Sequence, residues 1–423
     1  MCTRRRLTML LFVCLVPGAA YAQVLPEGPI TTANGTVTIT GEVSATFGGR
    51  DVCPPDASAP PGCKAAYFNY TDYEHNALRM FRVSVAGMWR PTERVAFLTE
   101  LRSEDTNHPI PYALYVRVRP FANRNFDIQA GRIPPVFGAF ARRSYGSDRM
   151  LIGLPLAYQY LTSLRPDAIP ASADDLLRMR GRGWLSNFPV PGATPDAPGV
   201  PIISSYRWDT GIQGHWGSEY LEGAVAVTAG TLSSPRVHDD NRGLQVSGRV
   251  AWHPVAGLIV GASASSGEFL TKTIEDRYEP ILGKHSYTQR AIGTDAEYSR
   301  GYWIVRGEYI DSRWNLPILS LPAIDKPLHA YSGFVETRYR FTPRYFAAMR
   351  ADTLTFNRIQ GEAFRLGRPT FDTWEAPVTR LEGGGGIYLQ RNLTFRLAVQ
   401  FNARDGGFIR QRTFKSAQLV YWF

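Results

Sequence analysis

The sequence predicts an all-β chain, a transmembrane antiparallel β-barrel of about sixteen strands. Three observations carry this expectation. Apolar and polar residues alternate at a period of two from Val37 to the end of the chain, so alternate side chains fall on opposite faces of successive strands. The connections also alternate, each turn of a few residues being followed by a long polar loop, which is the plan of a membrane barrel with short periplasmic turns and long outer loops. Finally, the last segment places Ala417, Leu419, Tyr421 and Phe423 on one face, opposite Ser416 and Gln418, and ends on aromatics of the kind that sit at a membrane interface.

Taken in order, the chain opens with Arg4, Arg5 and Arg6, an apolar stretch Leu7 to Val16, and Ala20-Tyr21-Ala22 before Gln23. This pattern reads as a secretory signal peptide over 1–22, too short in its apolar core to span a bilayer. Residues 23–36 are then expected to form a short periplasmic segment, and 37–423 the barrel. Strands are expected near residues 37–47, 77–89, 94–101, 112–120 and 126–131. After a long gap they resume near 206–216, 221–231, 244–252, 258–266, 289–298, 302–311, 328–341, 345–354, 378–389, 393–401 and at the terminus. Most are about ten residues long, enough for a tilted membrane strand. Trp89, Trp216, Trp252 and Trp303 each lie beside a short turn on the apolar face, which predicts a periplasmic aromatic girdle.

Composition excludes other classes. No stretch after residue 22 approaches the ~20 apolar residues of a membrane helix, so a membrane role requires a closed sheet. The formal charge is +10. Its basic residues are dispersed along the alternating segments rather than clustered, which argues against a nucleic-acid partner. Cys53 and Cys63 remain after the signal, flanked by prolines, and are expected to form a local disulfide in an oxidising compartment. They are too few for a zinc site, and no metal or other cofactor is expected.

If the apolar face meets lipid, the polar face lines a pore. By parity it carries Arg82, Arg117, Arg119, Arg249, Arg306, Arg338, Arg340, Arg350 and Arg396, with Glu42, Glu100, Asp295, Glu297, Glu308 and Glu336. Turning these charges inward avoids ~2–4 kcal/mol for each Arg held near mid-membrane, and predicts a wet interior that side chains do not fill. Inward arginines gather on one arc, and another arc carries inward acids with almost no inward arginine, which predicts a transverse field; ion pairs that brace the wall are the plainer alternative.

The stretches Gly131-Arg132-Ile133-Pro134-Pro135-Val136-Phe137-Gly138, Gly307-Glu308-Tyr309-Ile310 and Glu336-Thr337-Arg338-Tyr339-Arg340-Phe341-Thr342-Pro343 resemble bacterial porins, and within them the phosphate-selective porin O and P group. The barrel resemblance covers nearly the whole mature chain. The lysine ladders of phosphate-selective pores are missing here, so the resemblance carries the fold and leaves the selectivity open. It implies an outer-membrane location, a homotrimer, and a third loop, here 132–205, that folds inward. Arg142, Arg143, Asp174, Asp175, Arg178, Arg180 and Arg182 are then expected to line a constriction. The terminal strand resembles the assembly signal of outer-membrane proteins, which implies the barrel assembly machinery as a partner, beside outer-membrane lipid and lipopolysaccharide.

The expected function is a water-filled channel for passive diffusion of small hydrophilic solutes, with a mild anion preference. Two alternatives stay open: a plugged, non-conducting barrel acting as an adhesin or structural protein, and an outer-membrane hydrolase. The seven histidines are scattered and no HExxH or GxSxG pattern is present, so no residue points to catalysis.

Overall fold

A computed structural model describes residues 26–48, 81–104, 108–404 and 413–423, apart from 123, 142, 144, 193, 206–207, 241–242, 283–286, 318, 325 and 366–367. The signal segment, Cys53, Cys63 and Arg142 lie outside the described residues. Sixteen strands form the wall. The first eight are β1 (Val37–Gly48), β2 (Phe81–Trp89), β3 (Val95–Glu104), β4 (Ile110–Val118), β5 (Phe126–Ile133), β6 (Asp209–Gly217), β7 (Leu221–Thr228) and β8 (Gln245–Val255). The second eight are β9 (Leu258–Glu268), β10 (Thr288–Arg300), β11 (Trp303–Trp314), β12 (Leu328–Arg340), β13 (Tyr345–Phe356), β14 (Val378–Gln390), β15 (Leu393–Arg404) and β16 (Thr413–Trp422). Each strand pairs antiparallel with its sequence neighbour, and β16 closes the barrel on β1 from Ser416↔Gly48 to Trp422↔Glu42. Closure leaves no wall edge with unpaired backbone groups, the condition for crossing lipid.

Two contacts complete the seam. Gly41 and Phe423 exchange backbone hydrogen bonds of 3.0 and 2.9 Å. Below them the short strand Ile30–Thr32 pairs with Val37–Ile39 and occupies the part of the β1 edge that β16 does not reach. The side chains of Tyr421 and Asn392 both donate to the Pro26 carbonyl and fix this arm.

The outer face is apolar. Val85, Phe97, Leu114, Val250, Ile292, Val335 and Leu397 stand exposed on it, and so do Trp89, Trp216, Trp252 and Trp303 beside the short turns. An apolar belt of this extent is stable only against lipid. The inner face departs from the expectation of an unfilled interior. Ile310, Trp314, Leu328, Phe334, Leu354 and Phe356 turn inward from the upper parts of β11 to β13. They pack with Leu154, Leu156, Tyr158, Leu164, Ile169, Leu176 and Phe188 of the third loop, and with Trp374. A buried apolar cluster therefore fills the outer half of this sector. Strand alternation did not reveal it, because the partners of these side chains come from a loop distant in sequence.

Candidate functional site

The site is the lumen, built from the inner wall and the segment between β5 and β6. Most wall charges are paired. Arg82 meets Glu104 at 2.9 Å, and Arg102 meets Glu100 at 2.9 Å. Arg249 bridges Asp295 at 2.7 Å and Glu222 at 3.2 Å. Arg306 reaches Glu297 at 2.9 Å and Glu336 at 3.8 Å. Arg350, almost wholly buried, is ringed by Glu382, Glu336 and Asp352. Pairing of this kind offsets the cost of holding charge in a poorly hydrated interior.

Five of the arginines expected in the pore have no carboxylate within salt-bridge distance among the described residues; one of them, Arg396, is buried and donates to the Gly146 carbonyl at 2.5 Å and to Gln418 at 3.4 Å. Arg117, Arg338 and Arg340 lie at the periplasmic ends of β4 and β12. Arg338 donates to the Tyr388 hydroxyl at 3.4 Å, and the Arg340 guanidinium sits 5.2 Å from the Tyr388 ring. Arg119 lies beyond the end of β4, exposed in the turn rather than on the wall.

Wall carboxylates, several of them the same ones that pair with arginines, also hold the third loop. Ala139 N donates to Glu308 at 3.0 Å, and the Tyr158 hydroxyl reaches the same carboxylate at 2.6 Å. Gly146 N and Ser147 N donate to Glu42 at 2.7 and 2.9 Å. Gly153 N donates to Glu382 at 3.0 Å, and Leu156 N to Asp352 at 2.9 Å. Arg143 pairs with Glu297, and the Tyr145 hydroxyl donates to Glu100. The loop thus crosses from β11 to β1 and returns past β14 and β13 to β11. Close approach needs glycine here: a Cβ on Gly138 would lie 2.4 Å from Glu308 Oε1, and one on Gly153 2.7 Å from Glu382 Oε2.

The expected constriction residues separate. Arg143 lies in the lumen. Asp174 and Asp175 sit on the helix Ala173–Met179, whose N-cap Ser172 accepts from Asp175 N. That helix rests against the loop hairpin formed by Arg358–Arg365 and Arg368–Thr373. Asp174 accepts from Glu362 N, and Arg180 pairs with Asp372 at 3.1 Å. Arg178 and Arg182 are exposed. The stretch 174–182 therefore belongs to the outer cap and not to a constriction, because tertiary contacts with the seventh loop draw it there. The segment that does cross the lumen, 138–158, works through backbone amides. A search for charged side chains misses it; the spaced glycines were its visible signal.

Two chambers remain on the β3 to β8 side, the outer of mixed lining and the inner polar. The outer one, about 620 Å³, is lined by Arg102, Glu104, His108, Arg165, Asp167 and Ser234 among others. Arg165 grips Asp167 through two hydrogen bonds and holds its carboxyl below the usual range, against the opposing effect of burial. The inner chamber, about 350 Å³, is lined by Tyr115, Asp127, Gln129, His215, Glu222 and Arg249. An aromatic stack lies between them. The Arg102 guanidinium sits 3.4 Å from the Tyr112 ring centre, Tyr112 lies 5.1 Å from Trp208, and Trp208 lies 6.4 Å from Tyr115. The Trp208 indole N–H is buried without an acceptor among the described residues. Sequence reading passed over this stack, since Tyr112 and Trp208 lie almost a hundred residues apart.

Wall, apolar belt and lumen define a membrane-spanning β-barrel of the bacterial outer membrane. The same fold is found in OmpF of Salmonella typhi solved with daunomycin: 11% identity, TM-score 0.52, covering 93% of this chain and 100% of that one. The anion-selective porin of Comamonas acidovorans gives 9% identity and a TM-score of 0.52, covering 92% of this chain and 99% of the other. The outer-membrane channel DcaP of Acinetobacter baumannii gives 7% and 0.50, covering 93% and 99%. Identity this low relates the chain to them by fold alone. No family model and no curated protein matches the sequence.

Proposed function

We propose that the protein is a narrow porin that passes small hydrophilic solutes along the β3 to β8 side of its lumen. The observation that carries this reading is the succession of an outer chamber of mixed lining and an inner polar chamber on that side, with the Tyr112–Trp208–Tyr115 stack between them. The opposite sector is filled by the apolar cluster and is no route for a hydrated solute. A mild anion preference follows from Arg117, Arg338 and Arg340, which have no carboxylate within salt-bridge distance among the described residues. Arg149, buried in the loop near Arg82, Arg396 and Arg102, forms with them a crowded positive corner that adds to it.

The test is planar-bilayer conductance of the purified, refolded mature chain. Ohmic steps, with a reversal potential displaced toward anions in a salt gradient, are expected. The buried cluster favours a second reading, a plugged barrel. A folded protein that gives no steps selects that reading over the channel.

A further inference from the structure

On the lipid-facing wall near its extracellular end lies a trough of about 550 Å³. Strand register explains its shape. Across the wall, Arg313 stands opposite Arg290, Arg290 opposite Ser266, and Ser266 opposite Val246. One row below, Asp311 faces Ile292, Ile292 faces Ala264, and Ala264 faces Gly248, which pairs with Val225. The small residues Ser266, Ala264 and Gly248 thus form a floor between a ridge of valines and a ridge of Ile292 and Arg290. The lower part is apolar. The upper rim carries two guanidiniums directly opposite each other, an arrangement that is unfavourable by itself.

The charges at that rim are unequally committed. Asp311 accepts two hydrogen bonds from Arg313, at 2.7 and 3.1 Å, and lies 3.4 Å from His329. Arg290 is exposed and has no carboxylate within salt-bridge distance among the described residues. Glu268, at the outer end of β9, is a further charged group on this part of the wall. An exposed arginine at the outer-leaflet end of the wall is free to take an anion from the membrane, and a phosphate between Arg290 and Arg313 would bind both by charge-assisted hydrogen bonds.

We infer that this trough is a binding site for a phosphorylated glycolipid of the outer leaflet. A phosphate would sit on Arg290 and Arg313, and an acyl chain would run down the floor past Ala264 and Gly248. The inference does not rest on conduction, since it concerns the outer wall.

Native mass spectrometry of the refolded mature chain in detergent, titrated with diphosphorylated lipid A, tests it. One lipid A molecule should be retained, and the pair R290Q/R313Q should weaken retention about ten-fold or more, as expected for losing charge-assisted contacts. The Ala264→Phe variant, which fills the floor and keeps both arginines, should weaken it too. Arg300→Gln, at the opposite end of β10, should bind like the parent. Dephosphorylated lipid A should bind as poorly as the double variant. Equal retention by parent and R290Q/R313Q would overturn the site. So would phosphatidylglycerol competing on equal terms, which would show only a general anionic surface. Should the double variant not fold, A264F with unchanged affinity would overturn it equally.

Discussion

At the scale of single residues, two side chains are expected to have effects far beyond their size. Trp208 is the middle member of the stack between the chambers, and its indole N–H has no partner among the described residues. Truncating it removes the contact on both sides at once. Trp208→Ala is expected to raise single-channel conductance several-fold, whereas Trp208→Phe, which keeps the ring, should leave it near the parent value. Equal conductance for all three would show that ions take another path. Gly41 is the second. A Cβ there would lie 2.6 Å from the Phe423 ring, at the point where the barrel closes. Gly41→Val should overpack the seam and cost about 1–3 kcal/mol of stability. Heat-modifiable gel mobility reads this directly, as unfolding at a lower temperature than the parent.

At the scale of elements, the third loop is the part whose position depends on charge. Glu42 accepts three hydrogen bonds from Gly146 and Ser147, and Glu382 accepts from Gly153 N while facing Arg350. A hydrogen bond to a charged acceptor contributes about 1.5–3 kcal/mol. Glu42→Gln keeps the shape, loses the charge and turns one acceptor into a donor aimed at backbone N–H groups. The expected result is a mobile 145–148 segment, seen as increased current noise and faster hydrogen exchange of those amides, with the barrel still folded. Unchanged protection of Gly146 and Ser147 would contradict the anchoring. The strands were legible because period-two alternation is written locally, and each of the sixteen expected strands overlaps an observed one. The loop was not, because its path is set by single amides meeting carboxylates on remote strands. Asp174 to Arg182 show the limit most clearly: the helix start at Ser172 could be read from its capping pattern, but its docking on the seventh-loop hairpin could not.

At the scale of the whole molecule, the distribution of paired and unpaired charge decides which residues set selectivity. Parity identified most of the inward arginines but not their partners, and so could not separate braces from free charges. Arg350 is a brace. Buried among Glu336, Asp352 and Glu382, it leaves carboxylates uncompensated when removed, a loss of about 3–5 kcal/mol in comparable buried pairs. Arg350→Ser should therefore be read out as impaired folding. Arg338 and Arg340 face the periplasmic mouth beside Tyr388 with no carboxylate partner among the described residues, so their removal should spare the fold and change the field. The double variant R338S/R340S is expected to shift the reversal potential toward cations in a potassium chloride gradient. The shift should be largest at low ionic strength and shrink near 1 M salt, where the screening length falls to about 3 Å. A reversal potential that stays at the parent value at low salt would make these two arginines structural, and would move the source of any selectivity up to the corner around Arg149.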